Sequence, residues 1–151
     1  MTTVKALKDL NSPPSPKKRF HFSVSIFATI LLATLIGTYL DLLFTGIGLY
    51  SFPMRPFASI FTINIVFTLI GLPLFTTLFI LISLRLHKWL KMMFIITIST
   101  LMAAFEKFAE SIGFFTHHDD WQHYYSFYGY TIYFIFVLLF HYLLDKQIKN
   151  S

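Results

Sequence analysis

Cysteine is missing from this chain of 151 residues, which excludes disulfide bonds, thiolate metal sites and cysteine nucleophiles. Charged residues are scarce as well. They make up 13% of the chain, about half the roughly 25% that is usual in soluble domains. So small a charged fraction leaves too little polar surface to cover a water-exposed globule. The sequence also contains no nucleophile-elbow, phosphate-loop or zinc-protease motif. These absences argue against a soluble domain and against several common classes of enzyme.

Hydrophobic residues make up 56% of the chain and lie in four long runs. The runs cover about residues 22–43, 59–84, 90–112 and 125–144. Each reaches the roughly 20 residues that a helix needs to cross a hydrocarbon core. Because lipid offers the backbone no hydrogen-bond partner, and no run alternates as a barrel strand does, we expect helices. The sequence predicts an all-α fold, an integral membrane four-helix bundle over residues 22–145.

Both ends of the chain are polar and basic. Residues 1–21 include three prolines and are predicted to form a disordered cytoplasmic tail, and residues 146–151 a second cytoplasmic tail. The apolar run that follows residue 21 is too long for a signal peptide and has no good cleavage site. We interpret it as an uncleaved first span.

The basic residues indicate an orientation. Arg55 falls in the loop between the first two runs, and Lys107 lies inside the third. The other ten of the twelve basic residues flank the predicted spans on one side: Lys5, Lys8, Lys17, Lys18, Arg19, Arg85, Lys88, Lys91, Lys146 and Lys149. The positive-inside rule then predicts a multi-pass plasma-membrane protein with both termini in the cytoplasm. Short basic clusters beside apolar runs fit anionic lipid headgroups, so we expect the bilayer as a partner and no nucleic acid.

The acidic residues concentrate toward the opposite, outer side. Glu106 is predicted roughly 20 Å across the core, where a carboxylate costs several kcal/mol unless it is paired, protonated or in contact with water. Stripes of small residues lead to Asp41 in the first span and to Glu106 and Glu110 in the third, so these helix faces should meet inside the bundle. The candidate binding or structural cluster comprises Asp41, Arg55, Asn64, Glu106, Lys107, Glu110, Asp119 and Asp120.

Two interpretations of this cluster stay open. In the structural one, Asp41 pairs with Arg55, and Glu106 or Glu110 pairs with Lys107, which fixes the packing of the helices. In the functional one, the groups line a water-filled site that opens to the outside. We assign no catalytic residue and expect no cofactor.

A metal site is a weaker hypothesis at the same end of the chain. His117, His118 and His123 lie close together in sequence, and histidine is a suitable ligand for zinc and similar ions. Their spacing matches no established metal signature, and a polar stretch is also what an ordinary extracellular turn looks like. Metal binding is therefore left open.

Several segments resemble a known family. Residues 37–43 read Gly-Thr-Tyr-Leu-Asp-Leu-Leu, and residues 48–57 read Gly-Leu-Tyr-Ser-Phe-Pro-Met-Arg-Pro-Phe. With these segments, and with Gly-Leu-Pro at 71–73 and Asp-Asp-Trp at 119–121, the chain resembles a family of small uncharacterised membrane proteins of spore-forming Gram-positive bacteria. The resemblance implies a bacterial plasma-membrane protein with about four spans. It implies no activity.

Three functional hypotheses follow. The first is a non-enzymatic accessory or binding protein that uses the outer polar cluster, with a second copy or another membrane protein as a possible partner. The second is a proton- or ion-coupled transporter that uses Glu106 and Glu110 and acts as a dimer, because four spans are few for a carrier. The third is a membrane-embedded hydrolase, with or without a metal ion, in which carboxylates and histidines act as acid, base or metal ligands.

Overall fold

A computed structural model describes residues 23–150, so residue 151 and residues 1–22, with the predicted N-terminal tail, lie outside the described part. Four α-helices follow in chain order: α1 Val24–Gly46, α2 Leu72–Ser83, α3 Lys88–Ser111 and α4 His123–Asn150. A π-helix, Phe67–Gly71, leads directly into α2, and two short strands, β1 Tyr50–Ser51 and β2 Thr116–His117, lie in loops. The chain is mostly helical, as predicted, and carries a small sheet that was not predicted.

Three helices, α1, α3 and α4, are long and apolar enough to cross a membrane. The second predicted span is shorter than expected, because residues 59–64 are not helical and the apolar helix covers Phe67–Ser83. Asn64 lies at the start of this helix, where its side-chain Oδ1 accepts the backbone N–H of Phe67 at 3.1 Å. A side chain that caps a first turn in this way favours a helix that begins there.

The π-helix lies directly before Pro73. The N–H of Leu72 bonds to the carbonyl of Phe67, five residues back, instead of the usual four. Proline has no N–H to donate, and its ring clashes with the carbonyl four residues earlier. The widened turn just before the proline has the form in which π-helices mostly occur, a single turn within an α-helix.

The two strands tie the C-terminal ends of α1 and α3 together. They pair antiparallel, with Tyr50 opposite His117 and Ser51 opposite Thr116. The hydroxyls of Ser51 and Thr116 lie 2.8 Å apart. The ends of α1 and α3 therefore share one end of the bundle, which we call the sheet end.

The opposite end, which we call the tail end, joins the start of α1 to the last turns of α4. Ser25 Oγ donates to Asp145 Oδ1 at 3.1 Å, and Lys149 Nζ donates to the other oxygen of Asp145 at 2.5 Å. Helix α4 continues to Asn150. The tail predicted for residues 146–151 is thus helical up to that residue, because the ion pair supports one more helical turn.

The packed apolar core joins all four helices. The ring of Phe79 stacks on Phe94, with centroids 5.7 Å apart, and contacts Phe134 at 4.5 Å. The buried members are Ile26, Ile30, Ala33, Phe79, Ile80, Ile95, Phe134 and Val137. Large apolar side chains also cover much of the outer surface of the helices. Such a surface is typical of a protein that is surrounded by lipid.

The small residues of the stripes on α1 and α3 face the interior, but the predicted meeting of the two stripes is not observed, because each of these helices packs mainly against other helices, with α4 common to both. Thr29, Ala33 and Ser99 are almost completely buried. At Gly37, α1 approaches Leu72 so closely that a Cβ atom would overlap the leucine side chain. Close backbone approach through small residues is the usual way in which helices pack in lipid.

Candidate functional site

His117 occupies the centre of the sheet end, where its side chain is only 3% exposed. Its ring Nε2 lies 2.8 Å from Glu106 Oε1, and its backbone N–H donates to Glu110 Oε1 at 3.0 Å. Glu106 and Glu110 are four residues apart on α3, so their carboxylates lie on one face of the helix. Strand β2 carries His117 past that face. One histidine therefore lies between two carboxylates.

One atom of His117 has no hydrogen-bond partner among residues 23–150. Its Nδ1 lies 3.4 Å from Glu110 Oε1, without the geometry of a hydrogen bond, and it is buried. Buried polar atoms of folded proteins are nearly always hydrogen-bonded, so each exception needs a physical reason.

Three aromatic rings surround the imidazole of His117. Trp121 stacks on it with ring centroids 4.9 Å apart and an angle of 9° between the planes. Phe115 meets it edge-on at 4.6 Å, and Tyr50 lies 6.3 Å away. The indole N–H of Trp121 donates to Ser126 Oγ at 3.1 Å, which holds the stacked ring in place. We call these three rings the aromatic box, and they separate the imidazole from water.

Asp41 joins the same region through Tyr50. The tyrosine hydroxyl donates to Asp41 Oδ1 at 2.6 Å. Burial raises the pKa of Tyr50, and the negative charge of Asp41 raises it further. The hydroxyl therefore stays protonated at neutral pH and remains a donor to the carboxylate. The ring of Tyr50 in turn lies next to His117, so Asp41 is linked to the site through this tyrosine.

The predicted pairing of Asp41 with Arg55 is wrong. Arg55 donates instead to three backbone carbonyls of its own loop, those of Phe52, Ala58 and Phe61, at 2.6, 3.3 and 2.6 Å. A guanidinium with five N–H donors can hold a turn together in this way. Arg55 therefore stabilises the loop that follows β1.

The predicted role of Lys107 is also not observed. Its side chain is exposed, and within residues 23–150 it forms no ion pair with either glutamate. Consecutive helical residues project about 100° apart, which turns Lys107 away from the face that carries Glu106 and Glu110. The side chains next to these carboxylates are histidines and not the lysine.

The remaining members of the predicted cluster lie outside the site. Asn64 caps the helix that begins at Phe67. Asp119 and Asp120 are exposed in the loop after β2. Tyr50 and Phe115 were not predicted to belong to the site, because strands of two residues leave no periodic signal in the sequence.

Two of the three candidate metal-binding histidines belong to the site. His123 Nε2 lies 3.8 Å from Glu110 Oε2, and its ring lies 5.7 Å from that of His117. Potential ligand atoms of Glu110, His117 and His123 all lie within 4.8 Å of one another. His118 is different, because it is exposed and lies 3.3 Å from Asp120. The trio of Glu110, His117 and His123 therefore has the donor atoms that a metal ion requires.

Comparison of the chain with protein-family models, with curated proteins and with solved structures gives no match.

Proposed function

We propose that the chain is a multi-pass plasma-membrane protein with both termini in the cytoplasm, which binds a ligand at its outer, sheet end and catalyses no reaction. A carrier or a hydrolase would use the same carboxylates and histidines, so the arrangement of these residues does not separate the three hypotheses. The carrier and the hydrolase therefore stay predictions.

The topology of the bundle supports four crossings. The strand pairing puts the ends of α1 and α3 at the same end of the bundle. The chain between β1 and α3 must therefore return to the tail end, and Phe67–Ser83 is the apolar helix on that path. The hydrogen bond between Ser25 and Asp145 puts the start of α1 and the last turns of α4 side by side.

The charge distribution supports the orientation. Among residues 23–150, the sheet end carries the acidic residues of the site, and Arg55 there is held in its own loop. The basic residues Arg85, Lys88, Lys91, Lys146 and Lys149 lie in the segments next to the tail end. Basic residues near membrane-spanning segments are retained in the cytoplasm, so the sheet end should face outward.

The observation that carries a binding role is the unpaired Nδ1 of His117. Buried polar atoms are nearly always hydrogen-bonded, and this unpaired ring nitrogen lies directly beside a carboxylate. Here the aromatic box encloses the imidazole of His117, and His123, whose side chain is 44% exposed, lies beside it. A ligand therefore has access from the outer side and a buried atom to bind.

Cysteine accessibility tests this orientation, because the chain contains no cysteine of its own. We expect a single His118→Cys variant to react with a membrane-impermeant maleimide on intact cells. A single Asn150→Cys variant should react only after the membrane is permeabilised. The reverse pattern would place the site in the cytoplasm and refute the proposal.

A further inference from the structure

We propose that Glu110, His117 and His123 form a binding site for a single divalent transition-metal ion of the zinc type. The inference deepens the proposed function and depends on it only for the side of the membrane from which the metal arrives.

The spacing of the donor atoms is close to what such an ion requires. Zinc bound at about 2.0–2.1 Å in a tetrahedral site holds its ligand atoms about 3.3 Å apart. His117 Nδ1 and Glu110 Oε1 lie 3.4 Å apart, and His123 Nε2 and Glu110 Oε2 lie 3.8 Å apart. All three residues offer atoms within 4.8 Å of one another. The exposed His123 is the ligand that has to move to complete the site.

The hydrogen-bond geometry of the His117 ring gives a second reason. A hydrogen bond of 2.8 Å between Nε2 and Glu106 Oε1 puts a proton on Nε2. In a neutral imidazole the other nitrogen, Nδ1, then carries a lone pair. That lone pair faces the carboxylate of Glu110 at 3.4 Å and has no hydrogen-bond partner among the described residues. Two acceptors this close repel each other, and a cation between them removes the repulsion.

Glu106 would support the metal without touching it. Metal-binding histidines usually donate their other ring N–H to a carboxylate, which fixes the tautomer and makes the ligand more basic. Glu106 has this relation to His117. The backbone N–H of His117 similarly holds Glu110 at 3.0 Å. The carboxylate of Glu110 is thereby oriented before any ion arrives.

The set of donors selects the class of metal. Two imidazoles and one carboxylate suit zinc and its neighbours among the divalent transition metals, whereas calcium and magnesium prefer oxygen ligands alone. The site lacks the thiolates that select copper(I), because the chain has no cysteine. Glu110 and His123 have side chains that are 29% and 44% exposed, which leaves a fourth position for water or for a ligand from outside.

Zinc titration of the full-length protein in detergent tests the site. After chelator treatment, calorimetry should show one zinc ion bound per chain. His123→Ala should weaken binding at least tenfold, and it changes an exposed side chain that the core does not need. Glu106→Gln should weaken binding about 10–100-fold, as the loss of a carboxylate behind a metal-bound histidine does.

Cobalt(II) should give the visible absorption of a tetrahedral site, and His123→Ala should abolish it.

His118→Ala is the matched control, since it removes a neighbouring exposed histidine that lies outside the trio. We expect it to leave the dissociation constant unchanged. Equal losses in His118→Ala and His123→Ala would show nonspecific binding to surface histidines and overturn the site. A folded protein that binds no zinc would also overturn it.

The proposed orientation and the proposed metal site can be refuted independently of each other. Zinc binding combined with cytoplasmic labelling of His118→Cys would keep the site and refute the outward orientation. Outward labelling without zinc binding would keep the orientation and refute the site.

Discussion

Tyr50 connects the carboxylate of α1 to the histidine of β2. Its hydroxyl donates to Asp41 at 2.6 Å, while its ring lies 4.9 Å from Phe115 and 5.6 Å from Phe52. The same side chain thus supplies a donor for an acid and one ring of the aromatic box. A single residue of a two-residue strand therefore couples Asp41 to the site.

Replacing Tyr50 by phenylalanine removes the hydroxyl and keeps the ring. We expect Tyr50→Phe to lower the free energy of unfolding by about 1–3 kcal/mol, because it leaves a partly buried carboxylate without its donor. Denaturant unfolding in detergent, followed by circular dichroism, measures the change. Tyr142→Phe is the control, since that tyrosine lies on the exposed face of α4. Equal effects of the two substitutions would show that the hydrogen bond contributes nothing.

The acidic residues of the site could be identified from the sequence, but the residues that contact them could not. Glu106 and Asp41 stand out because charge within an apolar run is costly. The nearest cations in sequence, Arg55 and Lys107, suggested ion pairs that the structure does not contain. A guanidinium can bind carbonyls of its own loop, and a helix turns the next residue away by about 100°. Both effects depend on geometry that residue types do not reveal.

At the scale of the elements, the pairing of β1 with β2 is what assembles the site. It joins the loop after α1 to the loop between α3 and α4. The helices could be predicted because a run of about 20 apolar residues typically forms a membrane-spanning helix. Strands of two residues have no such signature, so the contact of Tyr50 with His117 could not be predicted.

Paired cysteines test this register. We expect the double variant Ser51→Cys, Thr116→Cys to form an intramolecular disulfide under mild oxidation, because the two hydroxyls lie 2.8 Å apart on directly opposed residues. Electrophoretic mobility without reductant, and a mass loss of two hydrogens, detect the bond. The background has no other cysteine.

The control moves the second cysteine two residues along the chain. In the double variant Ser51→Cys, His118→Cys, the two positions are diagonal instead of directly opposed and lie about 7–8 Å apart, so the disulfide should form far more slowly. Cross-linking at the same rate in both variants would contradict the observed pairing.

At the scale of the whole molecule, the number of crossings decides which surface faces which compartment. Three helices have full membrane-spanning length, while the fourth apolar helix is shorter and begins with a π-turn. An odd number of crossings would separate the two termini. An even number keeps them together, which agrees with the contact between Ser25 and Asp145.

His87 provides the deciding position, because it lies between α2 and α3 and is exposed. We expect a single His87→Cys variant to resist an impermeant maleimide on intact cells and to react after permeabilisation, since the helix Phe67–Ser83 carries the chain back to the cytoplasmic side. Maleimide labelling measured by gel shift provides the result. Labelling of intact cells at both His87→Cys and His118→Cys would mean that this helix does not cross.

Helix α4 is longer than a bilayer needs. Its 28 residues span about 42 Å, against about 30 Å for a hydrocarbon core. In the proposed orientation, the excess of about two turns carries Lys146 and Lys149 to the height of the lipid phosphates, where long cationic side chains settle. The end of α4 therefore fixes the depth at which the protein lies in the bilayer. It sets how far Glu106 lies below the opposite water boundary, so a thicker or thinner bilayer would change the hydration of the site without any change in its contacts.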